Sequence, residues 1–201
     1  MTNIVFAPGM LCNEKLWQLM LPFLDPKLNC IFVDFSSCTS SEDFQIAINV
    51  KIPADGCHLV GFSLGGYASL QYSLKDSADI KTLTLISVSS EGLSDKEKAI
   101  RHRLTSTIDT MQYHQMSPAR LKQFVHQGNL EGDPPRIIRE MEKDMGKQVL
   151  VNQMRATTAR PSLTNQLNQL TIPTTLIAAS EDQIMDANHM QMMAGKISNS
   201  Q

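Results

Sequence analysis

The run Cys57-His58-Leu59-Val60-Gly61-Phe62-Ser63-Leu64-Gly65-Gly66 decides how this chain is read. Its first half is apolar and short, as a buried strand is. Its second half opens a segment with Leu70 and Leu74 at helical spacing. Between them lies Gly-x-Ser-x-Gly in a strand-turn-helix context, the nucleophile elbow. The turn is sharp, so Ser63 is expected in a strained backbone conformation that lifts its hydroxyl clear of the sheet. Gly61 and Gly65 flank it because a Cβ there would collide with the neighbouring turn. The N–H of Leu64, at the start of the helix, then points to where an oxyanion would form. A dinucleotide fingerprint needs G-x-G-x-x-G, and a phosphate loop needs Gly-Lys-Ser/Thr. The spacing G-x-x-x-G-G satisfies neither.

Outward from the elbow, four more runs read as buried strands: Asn3 to Ala7, Cys30 to Phe35, Thr82 to Val88 and Thr174 to Ala179. Each is nearly continuous in β-branched and apolar residues, as strands covered on both faces of a parallel sheet are. Trp17, Leu19, Met20 and Leu24 carry a helical signal after the first strand. Strand and helix in turn predict an α/β fold with a mostly parallel sheet. The stretch from Gly92 to Asn168 reads as all-helical. Ser94 and Glu97 form a capping box. Ser117-Pro118 opens a helix with Leu121, Phe124 and Val125 on one face and Gly128 as its stop. Pro134-Pro135 opens another, carrying Ile137, Ile138, Met141 and Met145. The expected organisation is a discontinuous core, 1–91 and 169–201, with residues 92–168 inserted as a helical cap. Met111, Met116, Met141, Met145 and Met154 either line an adaptable apolar pocket or serve ordinary helix packing.

Composition narrows the function classes. The chain has 201 residues, 42% hydrophobic and 19% charged, with a formal net charge of −2. One soluble domain is the expectation, with no basic field for nucleic acid and no apolar run long enough for a bilayer. Cys12, Cys30, Cys38 and Cys57 form no C-x-x-C pair, so neither a zinc ribbon nor a redox pair is expected. No secretion signal opens the chain, and reduced thiols in the cytoplasm are the reading. No motif implies a metal or a nucleotide cofactor.

With these motifs in hand, the chain resembles the α/β-hydrolase superfamily, most of all its small cofactor-free esterases and lactonases with a helical cap. Ala7-Pro8-Gly9-Met10 stands where that family has a His-Gly-x oxyanion loop, followed by a Trp, here Trp17. The resemblance makes the N–H of Met10 the second oxyanion donor, with Pro8 in place of the family's histidine. Arg160-Pro161-Ser162-Leu163 through Ile177 resembles the return from the cap into a core strand. Ala179-Ser180-Glu181-Asp182 then matches the family's Gly-x-x-Asp, which makes Asp182 the triad acid. Glu181 and Glu91 are the alternatives, and Asp182 could instead be a turn residue. Ser36-Ser37-Cys38-Thr39-Ser40 departs from the family's Gly-x-Gly-x-Ser loop.

The triad order is Ser, acid, His. By resemblance the histidine lies beyond one more helix and strand. Only 19 residues follow Asp182. The expectation is therefore a chain that ends before its last core strand and its base, with an exposed, aggregation-prone edge at Thr174 to Ala179. His58 reads as packed or edge, His102, His114 and His126 as cap residues, and His189 as first-turn of the following helix. The resemblance implies acyl transfer from a small ester, lactone or thioester through Ser63. The competing reading is a non-catalytic relative that binds a small molecule or a partner in the same pocket.

Overall fold

The computed structural model describes residues 1–110 and 116–201. Met111 and His114, both assigned above to the cap, lie outside the described residues. Five strands form one parallel sheet: β1 (Thr2–Ala7), β2 (Leu28–Phe32), β3 (Cys57–Phe62), β4 (Ile80–Ile86) and β5 (Thr174–Ile177). Their spatial order is β2-β1-β3-β4-β5. The chain therefore steps outward from β1 to β2, then crosses back to β3 and proceeds the other way. Ligands in open parallel sheets bind outside the carboxyl ends of the strands at such a reversal. Here that point lies between β1 and β3, whose carboxyl ends lead to Pro8–Cys12 and to Ser63.

All five strands stand where the apolar runs put them, within a few residues. β2 ends at Phe32, because Val33 turns away after its N–H bonds the carbonyl of Phe6 (2.9 Å). Three helices cover the sheet: α1 (Ser41–Asn49), α2 (Leu64–Lys75) and, at the end of the described chain, α6 (Ala187–Lys196). The sequence reading missed α1. Its capping box was legible, with Asp43 N–H donating to Ser40 Oγ and Ser40 N–H donating to Asp43 Oδ2. Phe44 and Ile48, one helical turn apart, are both buried. Where an α-helix was expected around Trp17 to Leu24, two short 3₁₀ turns stand instead, Glu14–Trp17 and Leu21–Phe23. Pro22 lacks the N–H that would carry one helix into the next.

The segment between β4 and β5 is helical. It contains α3 (Asp95–Thr110), the short α4 (Pro118–Leu121) and α5 (Asp133–Thr158). Ser94 and Glu97 cap α3 reciprocally, as expected. Of the predicted α4 stripe, Leu121 and Val125 are buried, but Phe124 is 46% exposed. α4 stops after one turn, so the helical period that placed Phe124 inward does not persist; its ring instead lies under the Arg120 guanidinium (5.0 Å). α5 bends at Gly146, where φ is 75° and ψ is 174°. Leu163, Leu167 and Leu170 pack into the core cluster with Leu83, Leu85, Met190 and Met193. Asn199–Gln201 already pair beside β5: Thr174 N–H donates to Asn199 O (2.8 Å) and Leu176 N–H to Gln201 O (2.9 Å). The expected bare edge is thus partly covered, although Ile177 remains 47% exposed.

Gly195 sits in α6 with nothing within 4 Å of where a Cβ would stand. Gly195→Ala should therefore stabilise the protein by about 0.5 kcal/mol through helix propensity and a less disordered unfolded chain. A small rise in melting temperature would confirm it, and a fall would show a hidden contact at that face.

Candidate active site

Ser63 occupies the junction of β3 and α2 with φ 51° and ψ −113°. A non-glycine residue there stores about 1–3 kcal/mol of strain. Its hydroxyl makes no capping bond to α2, so the strain does not serve the helix. The junction is held by close backbone approach. A Cβ on Gly61 would stand 2.6 Å from Gly66 Cα, and one on Gly65 would run into the carbonyls of Ala7 and Pro8. Main-chain bonds lock both sides, Ser63 N–H to Ile86 O (2.9 Å) and Tyr67 N–H to Ser63 O (3.0 Å). Leu64, as the first residue of α2, has no intrahelical acceptor for its N–H.

The loop after β1 lies against this junction. A Cβ on Gly9 would come within 3.5 Å of Ser63 Cβ. Gly9 to Cys12 form a turn closed by Cys12 N–H to Gly9 O (3.2 Å). Met10 is the second residue of that turn. Leu11, the third, has φ 57°, a conformation that favours glycine. Ser87, just past β4, has φ 49°. Leu11, Ser63 and Ser87 are the only non-glycine residues of positive φ among those described. All three lie at the carboxyl end of the sheet. Strain of that kind gathers at functional sites. Neither Leu11 nor Ser87 was singled out from sequence, since neither residue type leans toward that conformation.

Asp182 follows β5. One of its carboxylate oxygens, Oδ1, accepts from the amides of Ile184 (2.8 Å) and Met185 (2.9 Å), closing its own turn. α6 is capped by Asp186, which accepts from Asn188 N–H (2.9 Å). Asp182 is therefore free of that duty. β5 stands two strands from β3, about 10 Å across. Glu181 turns to the insertion, where His126 Nε2 lies 3.3 Å from its Oε2. His126 Nδ1 accepts from Gly128 N–H, so the proton sits on Nε2, toward Glu181. Glu91 is engaged elsewhere: the Thr164 hydroxyl donates to it (2.6 Å), and hydrogen bonds from Thr164 and Ser162 hold its carboxyl below the usual carboxylate range.

Two further histidines are hydrogen-bonded elsewhere. His58 Nδ1 meets the Thr82 hydroxyl (2.8 Å) between neighbouring strands. His189 Nε2 accepts from Ser90 N–H (3.2 Å), with the Ser89 and Ser90 hydroxyls at 3.2 and 3.3 Å. His102 lies exposed on α3. Among the described residues no histidine hydrogen-bonds to Ser63 or Asp182. Three of the cysteines offer no rival nucleophile: burial pushes the Cys12 and Cys38 thiols up to about 12 and Cys57 to about 11. No group of metal-ligating side chains occurs among the described residues, and no described helix is long and apolar enough to cross a membrane.

Two sites missed from sequence sit nearby. Gln153 of α5, fully buried, accepts from Leu11 N–H (2.8 Å) and donates to Phe35 O (3.1 Å). Arg160 stacks on Tyr67 (4.7 Å), whose hydroxyl donates to Pro161 O (2.7 Å). This pins the return segment onto α2. A groove of about 380 Å³ on the insertion, lined by Leu130, Glu131, Pro135, Arg136, Arg139 and Lys143 among others, touches none of the strained residues. Its charged walls suit neither an acyl chain nor Ser63 chemistry, so backbone strain is the better guide to the site. Of the methionines, Met141 is buried in helix packing and Met116, Met145 and Met154 are half-buried.

Comparison with known proteins agrees with this architecture. The chain is similar to monoacylglycerol lipase abhd6-A of Xenopus laevis, at 23% identity over 97% of this chain and 66% of that protein. It thus spans just under two thirds of that relative's length. Its fold is similar to the enol-lactonase from Burkholderia xenovorans LB400, with a TM-score of 0.84 at 14% identity over all of this chain and 81% of the other. It is also similar to a thermophilic esterase from Thermogutta terrifontis, with a TM-score of 0.79 at 17% identity over all of this chain and 79% of the other. The profile of the alpha/beta hydrolase fold family matches residues 23–201, and with a parallel sheet that reverses direction beside a strained serine, the chain belongs to that family.

Proposed function

We propose that Ser63 is the nucleophile of an acyl-transfer hydrolase acting on a small ester, lactone or thioester. The observation that carries this reading is the backbone of Ser63, at φ 51° and ψ −113° on a strand-helix junction. A binding module has no need of a strained serine whose hydroxyl does no structural work. In this reading a histidine takes the Ser63 proton as Oγ attacks the acyl carbon. The amides of Met10 and Leu64 hold the oxyanion. The histidine then gives its proton to the leaving oxygen or sulfur, and water releases the acyl group. Asp182 orients the imidazolium. Residues 92–168 act as a cap over this end of the sheet and shape the acyl pocket. The free thiols suit a reducing, cytoplasmic compartment.

A second reading has one observation in its favour. No described histidine reaches Ser63, so a non-catalytic binding role on the same scaffold is the alternative. A serine hydrolase with no base at its serine loses on the order of 10⁶ in kcat, so turnover is a poor test. Covalent capture of Ser63 is a better one. A fluorophosphonate should phosphonylate Ser63 when free imidazole is supplied as the base. The Oγ–P bond forms, the P–F bond breaks, and the hydroxyl proton passes to imidazole. Mass spectrometry should find one adduct, at Ser63, absent from Ser63→Ala. Equal modification of both proteins would favour the binding reading.

A further inference from the structure

The turn that carries Met10 is closed locally by a single main-chain bond, Cys12 N–H to Gly9 O at 3.2 Å. Its third residue, Leu11, is a leucine at φ 57°. A strained residue persists only where its surroundings over-determine it. The Leu11 side chain is buried, and beyond the turn's own bond a second restraint on its main chain comes from far along the sequence. Leu11 N–H donates to Gln153 Oε1 at 2.8 Å. The same side chain donates from Nε2 to Phe35 O at 3.1 Å. One amide thus bridges the loops after β1 and β2, both at the carboxyl end of the sheet.

Gln153 is itself held in place. It has no solvent exposure. Its main-chain carbonyl accepts from the Thr157 hydroxyl (2.7 Å), and Thr157 Oγ1 accepts from Arg101 Nη1 (2.8 Å). The anchor therefore runs from α3 through α5 to the turn beside Ser63. Both polar ends of the amide are satisfied, and each bond needs a particular atom: Oε1 to accept and Nε2 to donate. An apolar residue of the same volume would fill the space and leave a buried N–H and a carbonyl to find new partners.

We propose that Gln153 is a positioning residue for the oxyanion loop, holding Leu11 in its strained conformation so that the Met10 amide faces Ser63. This rests on the reading of Ser63 as the nucleophile. It also ties the helical insertion to the chemistry: a shift of α5 moves an oxyanion donor.

The test measures the rate of Ser63 phosphonylation by a fluorophosphonate with imidazole, from pH 6 to pH 9. The chains are wild type, Gln153→Met and Gln153→Glu, with Ser63→Ala as the blank. Hydrogen exchange at Leu11 and a thermal melt are recorded on each. Gln153→Met should stay folded, lose protection at Leu11, and label about tenfold to a hundredfold more slowly, the scale of a misplaced donor. Gln153→Glu supplies the discriminating signature. When protonated it can make both bonds, so it should label near the wild-type rate at pH 6. When ionised it cannot donate to Phe35 O, so its rate should fall away from wild type as pH rises. A merely structural glutamine would not give that divergence. A folded Gln153→Met that labels within about twofold of wild type would overturn the proposal, as would a Gln153→Glu profile parallel to wild type. If wild type itself is not labelled, the nucleophile reading fails and the positioning role is rejected with it. Leu11 exchange then still reports whether Gln153 holds the turn.

Discussion

Gly65→Ala is expected to destabilise the protein by at least about 3 kcal/mol, lowering the melting temperature by roughly 6–12 °C, and to abolish Ser63 labelling. Helix propensity works the other way, favouring alanine by about 1 kcal/mol in a helix interior. Which effect wins depends on what the new methyl meets. Its carbon would fall 2.5 Å from the carbonyl carbon of Ala7 and nearer still to the oxygens of Ala7 and Pro8. These are main-chain atoms of β1 and the loop after it, and they cannot rotate aside. Relief requires β1 and α2 to separate, which opens the reversal point of the sheet and carries Met10 away from Ser63. Gly195→Ala is the control. It adds the same methyl to a helix in open space, so the difference between the two melting curves isolates the close approach. A Gly65→Ala protein melting within about 2 °C of wild type would mean that the elbow is not packed against the β1 loop as described.

Much of this arrangement was legible in the residues, for physical reasons that can be named. A strand covered on both faces must be continuously apolar, so β1, β3 and β4 announced themselves. Gly61, Gly65 and Ser63 are residue types that a strained junction requires, so the elbow could be read from six letters. What escaped notice had no local signature. Gln153 is one polar residue in an amphipathic helix, and its partners lie 142 and 118 residues away. Leu11 gives no warning of φ 57°, because leucine does not favour that conformation and the amide its N–H meets stands on a distant helix. Phe124 was placed inward by a helical period that ended one turn earlier. α1 differs from these: Ser40, Asp43, Phe44 and Ile48 together spell a capped helix, beside a loop in which Cys38 stands among four polar residues.

Ser63→Gly should eliminate covalent capture by fluorophosphonates and, at the same time, make the protein more stable than Ser63→Ala by about 1 kcal/mol. Both substitutions remove the nucleophilic oxygen. They differ in the Cβ. At φ 51° a Cβ is the source of the strain, worth about 1–3 kcal/mol, and only glycine removes it. Against that gain stands the freedom glycine adds to the unfolded chain, about 0.4–1 kcal/mol. The balance favours Ser63→Gly over wild type by a small margin, whereas Ser63→Ala keeps the strain and gains nothing. An ordinary N-cap serine behaves in the opposite way, losing a few tenths on change to glycine and about 1 kcal/mol on change to alanine. That precedent does not apply, because Ser63 makes no side-chain cap bond. The order of stability Gly above Ser, with Ala no higher than Ser, is thus the signature of a residue kept for its hydroxyl against the preference of the fold. A glycine variant that melts below wild type would mean that the serine contributes to folding. One that still takes up the phosphonate would move the reactive oxygen to another residue.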